Sequence, residues 1–356
     1  MTKGRDVYKK ISASADAALF FDDVCMYWAS GFYSTDGAVV IDAEATKLFV
    51  DSRYYEAAES AKKRGELFDD VQVILLDKNI IELIKERAAG KVFAVDSELV
   101  TVARLERLKK AFEGYEIRTA ENICKDLRMI KSPDEIEKIK TAQAITDAAF
   151  EHITHFIRKG LSEKRIAAEL EFFVKSNGGD NMSFDTICVS GPNSSLPHGV
   201  PGECEICENS FLTMDFGVKY KGYCSDMTRT VVLGKADEEM KRVYETVLKA
   251  QLAGIAAAKG GTGGSVIDNA ARSIISDAGY GKYFGHGLGH SVGIEIHEDP
   301  RFSPKYDKPV PAGSIMTVEP GIYLPGKYGV RIEDMVLMTE NGCEVLTKSP
   351  KNLIEL

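Results

Sequence analysis

Residues 215–234 read DFGVKYKGYCSDMTRTVVLG, and the two acids in this stretch decide how the second half of the chain is read. Phe211-Leu212-Thr213-Met214 leads into Asp215, and Met227-Thr228-Arg229-Thr230-Val231-Val232 follows Asp226. Both flanks alternate as strands do. Two antiparallel strands joined by a turn at Lys219–Lys221 would set Asp215 and Asp226 side by side. Facing carboxylates in a core repel and are costly to desolvate, and a divalent cation removes that cost. Taken alone, the pair is equally compatible with two turn aspartates, one at each end of a hairpin.

Three later segments bear on that choice. His286-Gly287-Leu288-Gly289-His290 offers two imidazoles flanked by small residues. Gly287 and Gly289 disfavour a helix there, so one histidine reads as a ligand and the other as a supporting or packing neighbour. Val318-Glu319-Pro320-Gly321 places a carboxylate at the end of an apolar run, and Ile332-Glu333-Asp334-Met335 places another inside the strand-like Val330 to Leu337. An acid within an apolar strand is costly unless paired or metal-bound. Asp215, Asp226, His290, Glu319 and Glu333 form a hard, oxygen-rich donor set, suited to a pair of Mn, Co, Fe or Zn ions.

The chain of 356 residues is long for one core, and two domains are expected. Short apolar runs at Ala18–Phe21, Ala38–Ile41, Leu48–Val50, Val71–Leu76, Val92–Val95 and Tyr115–Arg118 read as strands. Amphipathic segments near 53–63, 79–88 and 102–112 read as helices between them, giving an α/β domain with a mixed sheet over residues 1–125. Ser132-Pro133-Asp134-Glu135 is a capping box with proline at the first helical position, which marks the start of a second domain over 126–356. Helices expected at 133–158, 163–176, 238–258 and 265–278 mix there with β-rich stretches at 184–190, 211–218, 223–233, 314–318 and 330–338, an α+β pattern.

A net charge of -9 argues against nucleic acid or anionic lipid as a partner. No apolar run reaches membrane-spanning length, and the N-terminal stretch has no apolar signal-like segment. Seven scattered cysteines, an odd number, suit a reducing cytoplasm. Cys204 and Cys207 have the spacing of half a zinc site, but no second such pair exists, so they read as a reduced pair in a loop. Gly260–Gly264 follows a helix and lacks the lysine of a phosphate loop, so it reads as a helix stop. His152 and His155 read as residues of a solvated or packed helix face.

The runs DFGVKYKGYCSDMTRTVVLG, HGLGHSVGIEIHEDP (286–300), TVEPGIY (317–323) and GVRIEDMVL (329–337) resemble the pita-bread metallopeptidase family. That family includes methionine aminopeptidase, Xaa-Pro aminopeptidase, Xaa-Pro dipeptidase and creatinase. Tyr27-Trp28-Ala29-Ser30-Gly31-Phe32, Asp36-Gly37 and Asp51-Ser52-Arg53-Tyr54 resemble the creatinase-type N-terminal domain. With all five ligand positions present, the combination resembles the proline-specific branch.

The resemblance implies a creatinase-like N-terminal domain and a pita-bread catalytic domain. It implies Asp215 on one metal, His290 and Glu319 on the other, and Asp226 and Glu333 bridging, with manganese first and cobalt or zinc as alternatives. Glu319 would shuttle the proton of the attacking water. His198 and His297 match the family's catalytic histidines and would hold the substrate carbonyl and the developing oxyanion. His286 and Arg331 are further candidates, Arg331 orienting Glu333 or meeting a substrate carboxylate. The implied substrate is a short peptide with proline second, and the implied assembly a homodimer. An aminopeptidase without a proline requirement and an inactive binding or scaffolding member of the fold are the alternative readings; a creatinase-like metal-free hydrolase is disfavoured because all five ligand positions are present.

Overall fold

The computed structural model describes residues 3–356. The chain separates into two compact units, residues 1–128 and 129–356.

The first unit is built on a six-stranded mixed sheet. Its strands run in the order Val71–Leu75, Thr46–Val50, Ala38–Asp42, Ala17–Phe20, Val92–Asp96, Glu116–Ala120. The first four connect antiparallel except at the outer edge, where Val71–Leu75 runs parallel to Thr46–Val50. Val92–Asp96 and Glu116–Ala120 add in parallel, each after a crossover helix (Ile80–Arg87, Val102–Ala111). Central strands buried on both sides, such as Ala38–Asp42, explain the continuous apolar runs in the sequence. Two helices, Lys3–Ile11 and Asp23–Ser30, were not expected from the sequence. The second begins at an Asp22 cap and stops at Gly31 in left-handed geometry, within the quoted Tyr27–Phe32 motif.

The second unit opens with the helix Pro133–Phe156, and both bonds of its capping box are formed between Ser132 and Glu135. Helices Pro133–Phe156 and Glu163–Ser176 press Phe150, Ile153, Ile166 and Leu170 onto Leu212, Met214, Met227 and Val231. Helices Glu238–Ala257 and Gly264–Asp277 press Val243, Val247, Ile267 and Ala271 onto Met316, Val318 and Val336. Each such fully buried Val, Leu, Ile, Phe or Met side chain contributes roughly 1.5–3 kcal/mol, so two helical layers hold the strands that carry the acids. Those strands form a three-stranded sheet (Met227–Leu233, Ser210–Phe216, Ile187–Ser190) and a five-stranded one. The latter runs Glu298–Phe302, Gly289–Ser291, Ile315–Val318, Asp334–Thr339, Gly342–Val345. Among the described residues no helix is long and apolar enough to cross a membrane.

Two expectations need correction. The turn between Asp215 and Asp226 is a separate small hairpin, Val218–Tyr220 against Tyr223–Cys224, with Lys221 and Gly222 both at positive φ in the two-residue loop. As a result Asp215 pairs in register with Thr228, not Asp226, and Asp226 lies just before its strand. Glu333 is not inside a strand either. Tyr328–Arg331 and Asp334–Thr339 belong to different sheets, and Glu333 sits in the break between them with its N–H donated to Thr228 O. Val330 to Leu337 looks continuous because both sides of the break are buried.

Candidate metal centre

Four elements converge on one buried spot. Asp215 is the penultimate residue of Ser210–Phe216, and Asp226 precedes the neighbouring strand Met227–Leu233. His290 sits on Gly289–Ser291, and Glu319 follows Ile315–Val318. The close approach of those last two strands requires Gly289, because a Cβ there would meet Thr317 O at 2.0 Å. Oxygens of Asp226 and Glu333 and a ring nitrogen of His290 all lie within 4.8 Å of one another. His290 Nε2 is 3.3 Å from Glu319 Oε1 and 3.6 Å from Asp226 Oδ2. His290 Nδ1 lies 3.2 Å from Ser291 O, so the proton sits on Nδ1 and Nε2 presents its lone pair to the carboxylates.

These donors fit divalent metal. Asp215 Oδ1 is buried and accepts no hydrogen bond, while its Oδ2 is held by Arg331 Nη2 at 2.6 Å. Burial, then the charges of Glu333, Asp215 and Glu319, push Asp226 well above the usual carboxylate range. Burial, then Glu319 and Asp215, do the same to Glu333, and burial raises Glu319 to about 8. Burial, then His297, lowers His290 to about 3, which keeps it neutral. Four acids crowded beside a neutral imidazole form a site whose electrostatic cost bound cations would relieve.

A pH dependence follows for the metal-free protein. Glu319 keeps its proton in the folded state up to about pH 8, whereas an unfolded glutamate releases it near 4.5. Above 6.5, where histidine in the unfolded chain is neutral too, the folded state binds more protons than the unfolded one. Stability should therefore fall as pH rises from 6.5 to 8. Urea unfolding of chelator-treated protein at the two pH values checks this, and added Mn should protect more at the higher pH.

Around the donors runs a hydrogen-bonded frame. Thr228 Oγ1 donates to Glu333 Oε2 at 2.7 Å and accepts from Arg331 Nε at 2.9 Å. Thr317 Oγ1 donates to Glu319 Oε1 at 3.1 Å and accepts from His290 N at 3.0 Å. Arg331 Nη1 donates to Tyr323 Oη at 2.7 Å, and Tyr323 Oη lies 2.9 Å from His286 Nε2. His286 Nδ1 faces Gly287 O at 2.8 Å, so Nδ1 carries the proton and Nε2 accepts from Tyr323. Burial, then Arg331, holds His286 near 4, hence neutral. Both of its nitrogens are thus engaged within the protein, and it stands outside the donor cluster.

The other two candidate histidines are exposed. His297 packs edge-on against His290, ring centroids 4.4 Å apart, and burial, then Arg301 and His198, lowers its pKa. His198 stands in the loop after Gly191–Ser195. Arg331 bonds Asp215 and, through Thr228, meets Glu333 rather than touching it. His152 bonds Glu169 on the neighbouring helix, away from the donor cluster.

Sequence reasoning did not single out Thr228, Thr317 or Tyr323. Tyr323→Phe removes the hydroxyl shared by Arg331 and His286, and hydrogen bonds to charged groups are worth about 1.5–3 kcal/mol. It should lower kcat/KM about 10- to 100-fold with metal content unchanged, measured by steady-state kinetics alongside metal analysis.

The model for metallopeptidase family M24 matches residues 137–340, and that for the creatinase/prolidase N-terminal domain matches residues 11–130. An Xaa-Pro dipeptidase of Pyrococcus furiosus is 38% identical over 347 residues, which cover 96% of both chains. Among solved structures, an Xaa-Pro dipeptidase from Bacillus anthracis superposes with a TM-score of 0.93 at 38% identity, covering 99% of both chains. An X-Pro aminopeptidase from Thermotoga maritima superposes with a TM-score of 0.90 at 35% identity, covering 96% of this chain and 98% of that one.

Proposed function

Because the chain belongs to metallopeptidase family M24, we propose that it is a two-metal exopeptidase cleaving the bond between an N-terminal residue and a following proline. Membership makes it a metallopeptidase with a creatinase-like N-terminal domain and a pita-bread catalytic domain. The number of ions, their identity and the proline requirement are our reading. The observation that carries the metal count is the donor set: four carboxylates around one neutral imidazole, with Asp215 Oδ1 buried and unbonded. One cation would leave that much buried negative charge undercompensated. Proline comes from the relatives, whose names specify Xaa-Pro substrates.

In this reading Asp215, Asp226, His290, Glu319 and Glu333 hold two ions, Mn first and Co or Zn as alternatives. Bound there, the ions supply an activated water at neutral pH and polarise the scissile carbonyl. Glu319, oriented by Thr317, takes the proton of the attacking water and returns one to the leaving amine. His297, beside His290, and His198 donate hydrogen bonds to the substrate carbonyl as negative charge develops. Arg331 fixes Asp215 and buttresses Thr228 against Glu333, while Tyr323 and His286 fix Arg331.

The substrates are short peptides, and the protein works as a homodimer in the cytoplasm, where seven unbridged cysteines are at home. Relatives of both types keep dipeptidase and aminopeptidase open. Purified protein with Mn, Co or Zn is offered Leu-Pro, Leu-Pro-Ala, longer Leu-Pro peptides and Leu-Ala. Release of leucine from the proline peptides alone supports the proposal, and the length series separates its two forms. Equal turnover of Leu-Ala points to an aminopeptidase without a proline requirement, and no release with any metal defeats the peptidase reading.

A further inference from the structure

His198 has no hydrogen-bonding partner on its imidazole among the described residues, and it is exposed. Whatever fixes its position must act through the backbone of its loop, residues 191–201. Both sides of that loop's neck bond the side chain of Glu163, at the start of the helix Glu163–Ser176, and Ser190 Oγ adds a bond from Cys207 N at 2.8 Å. Glu163 is only 1% exposed. Its Oε1 accepts from Ser190 N at 2.7 Å, on the entering side of the loop, and its Oε2 accepts from Gly202 N at 3.0 Å, on the leaving side. Asn193 Nδ2, inside the loop, reaches Oε1 at 3.2 Å. Backbone bonds from Glu163 N to Cys204 O and from Lys164 N to Gly202 O seat the same neck on the helix.

Among the described residues no cation pairs with Glu163. A buried carboxylate without one is costly, and here only N–H donors offset that cost. An apolar side chain would close the loop more cheaply but could not bind both of its ends at once. Further along, Gly329 N donates to Ser194 Oγ at 2.8 Å, and Arg331 Nη1 donates to Pro197 O at 3.3 Å, one residue before His198. The loop is thus tied at its neck by Glu163 and near its tip by the arginine that holds Asp215.

We propose that Glu163 is a positioning residue for the reaction: by clamping residues 190 and 202 it sets where His198 meets the substrate carbonyl. The proposal rests on the role given to His198 above. Glu163→Gln keeps the shape but turns one oxygen into an N–H donor facing a backbone N–H, which opens one side of the neck. A displacement of the order of 1 Å at a reacting group can cost about 100-fold.

The test is a double-mutant cycle of Glu163→Gln with His198→Ala in the Mn-loaded protein, on whichever peptide the wild type cleaves. The expected result is a loss of kcat of about 10- to 100-fold for Glu163→Gln, with bound Mn unchanged and KM changed little. In the His198→Ala background the same substitution should change kcat less than twofold. Equal losses in both backgrounds, or no loss in the wild-type background, would overturn the inference. Should Glu163→Gln fold poorly, Asn193→Ala replaces it with the same expectation at smaller size. Hydrogen exchange is read in parallel because it needs no substrate. Faster exchange over 190–202, with the peptides carrying the metal ligands unchanged, supports the clamp, and unchanged exchange over 190–202 defeats it. A wild type that cleaves no peptide defeats the proposed function, and the exchange result then decides the clamp alone.

Discussion

Asp226→Asn is expected to abolish peptidase activity and at the same time make the metal-free protein more stable. Asp226 is 4% exposed, and its carboxylate faces His290 within a cluster that includes Glu333. Asparagine keeps the shape but removes the charge and leaves one weaker oxygen donor, so metal should be lost or displaced. Charge stabilisation by a bound ion is worth several kcal/mol, so kcat/KM should fall by about three powers of ten or more. Stability should move the other way. Burial, then Glu333, Asp215 and Glu319, already make ionisation of Asp226 unfavourable, so the neutral side chain relieves repulsion in the empty site. Kinetics, metal analysis and urea unfolding of chelator-treated protein check both halves. A residue kept only for structure would lose stability and activity together.

The largest effect on folding is expected from Arg229→Met. Arg229 is 1% exposed, and its guanidinium donates five hydrogen bonds within one corner of the catalytic unit. Nη1 donates to Thr228 O and Glu333 O, and Nη2 donates to Asp334 Oδ1 and Ser349 O, both within 2.8 Å. Nε donates to Pro350 O at 3.0 Å. Methionine fills much of the volume but leaves these acceptors unmet and takes one cation from Asp334, which is fully buried. Lys351 and Gln251 still reach Asp334 Oδ2, which softens the loss without cancelling it. Breaking a buried pair from one side costs about 3–5 kcal/mol. The urea midpoint should drop accordingly with little change in slope. Arg229→Lys should recover only part of the loss, because an ammonium cannot reproduce the fork. A loss under about 1 kcal/mol would show that the corner relaxes around the gap.

These two residues mark the boundary of what the sequence discloses. Acids such as Asp226 and Glu319 stand out because an acid next to apolar strand residues is chemically expensive, and the reader needs only the local run to see it. The strands of the N-terminal unit are largely legible too, since most are short apolar runs bounded by polar turns, the edge strand Glu116–Ala120 being the polar exception. Arg229, Thr228, Thr317 and Tyr323 are invisible by that criterion. A threonine or tyrosine in a strand is ordinary, and the partners that give these residues their work lie far away in sequence, as Thr228 and Glu333 do. Glu163 looks like any acid in a helix's first turn, and only the folded loop reveals what it binds. The break at Glu333 is hidden for a different reason. Burial on both sides of it makes one apolar run out of two strands from separate sheets.

The proposed chemistry requires that these five side chains hold two ions. Chelator-treated protein is dialysed against Mn and the bound metal counted per chain, wild type beside Asp226→Asn. Two Mn per wild-type chain, with at least one missing from the variant, is the predicted result. One ion or none at saturation in the wild type, or an unchanged count in the variant, would contradict it.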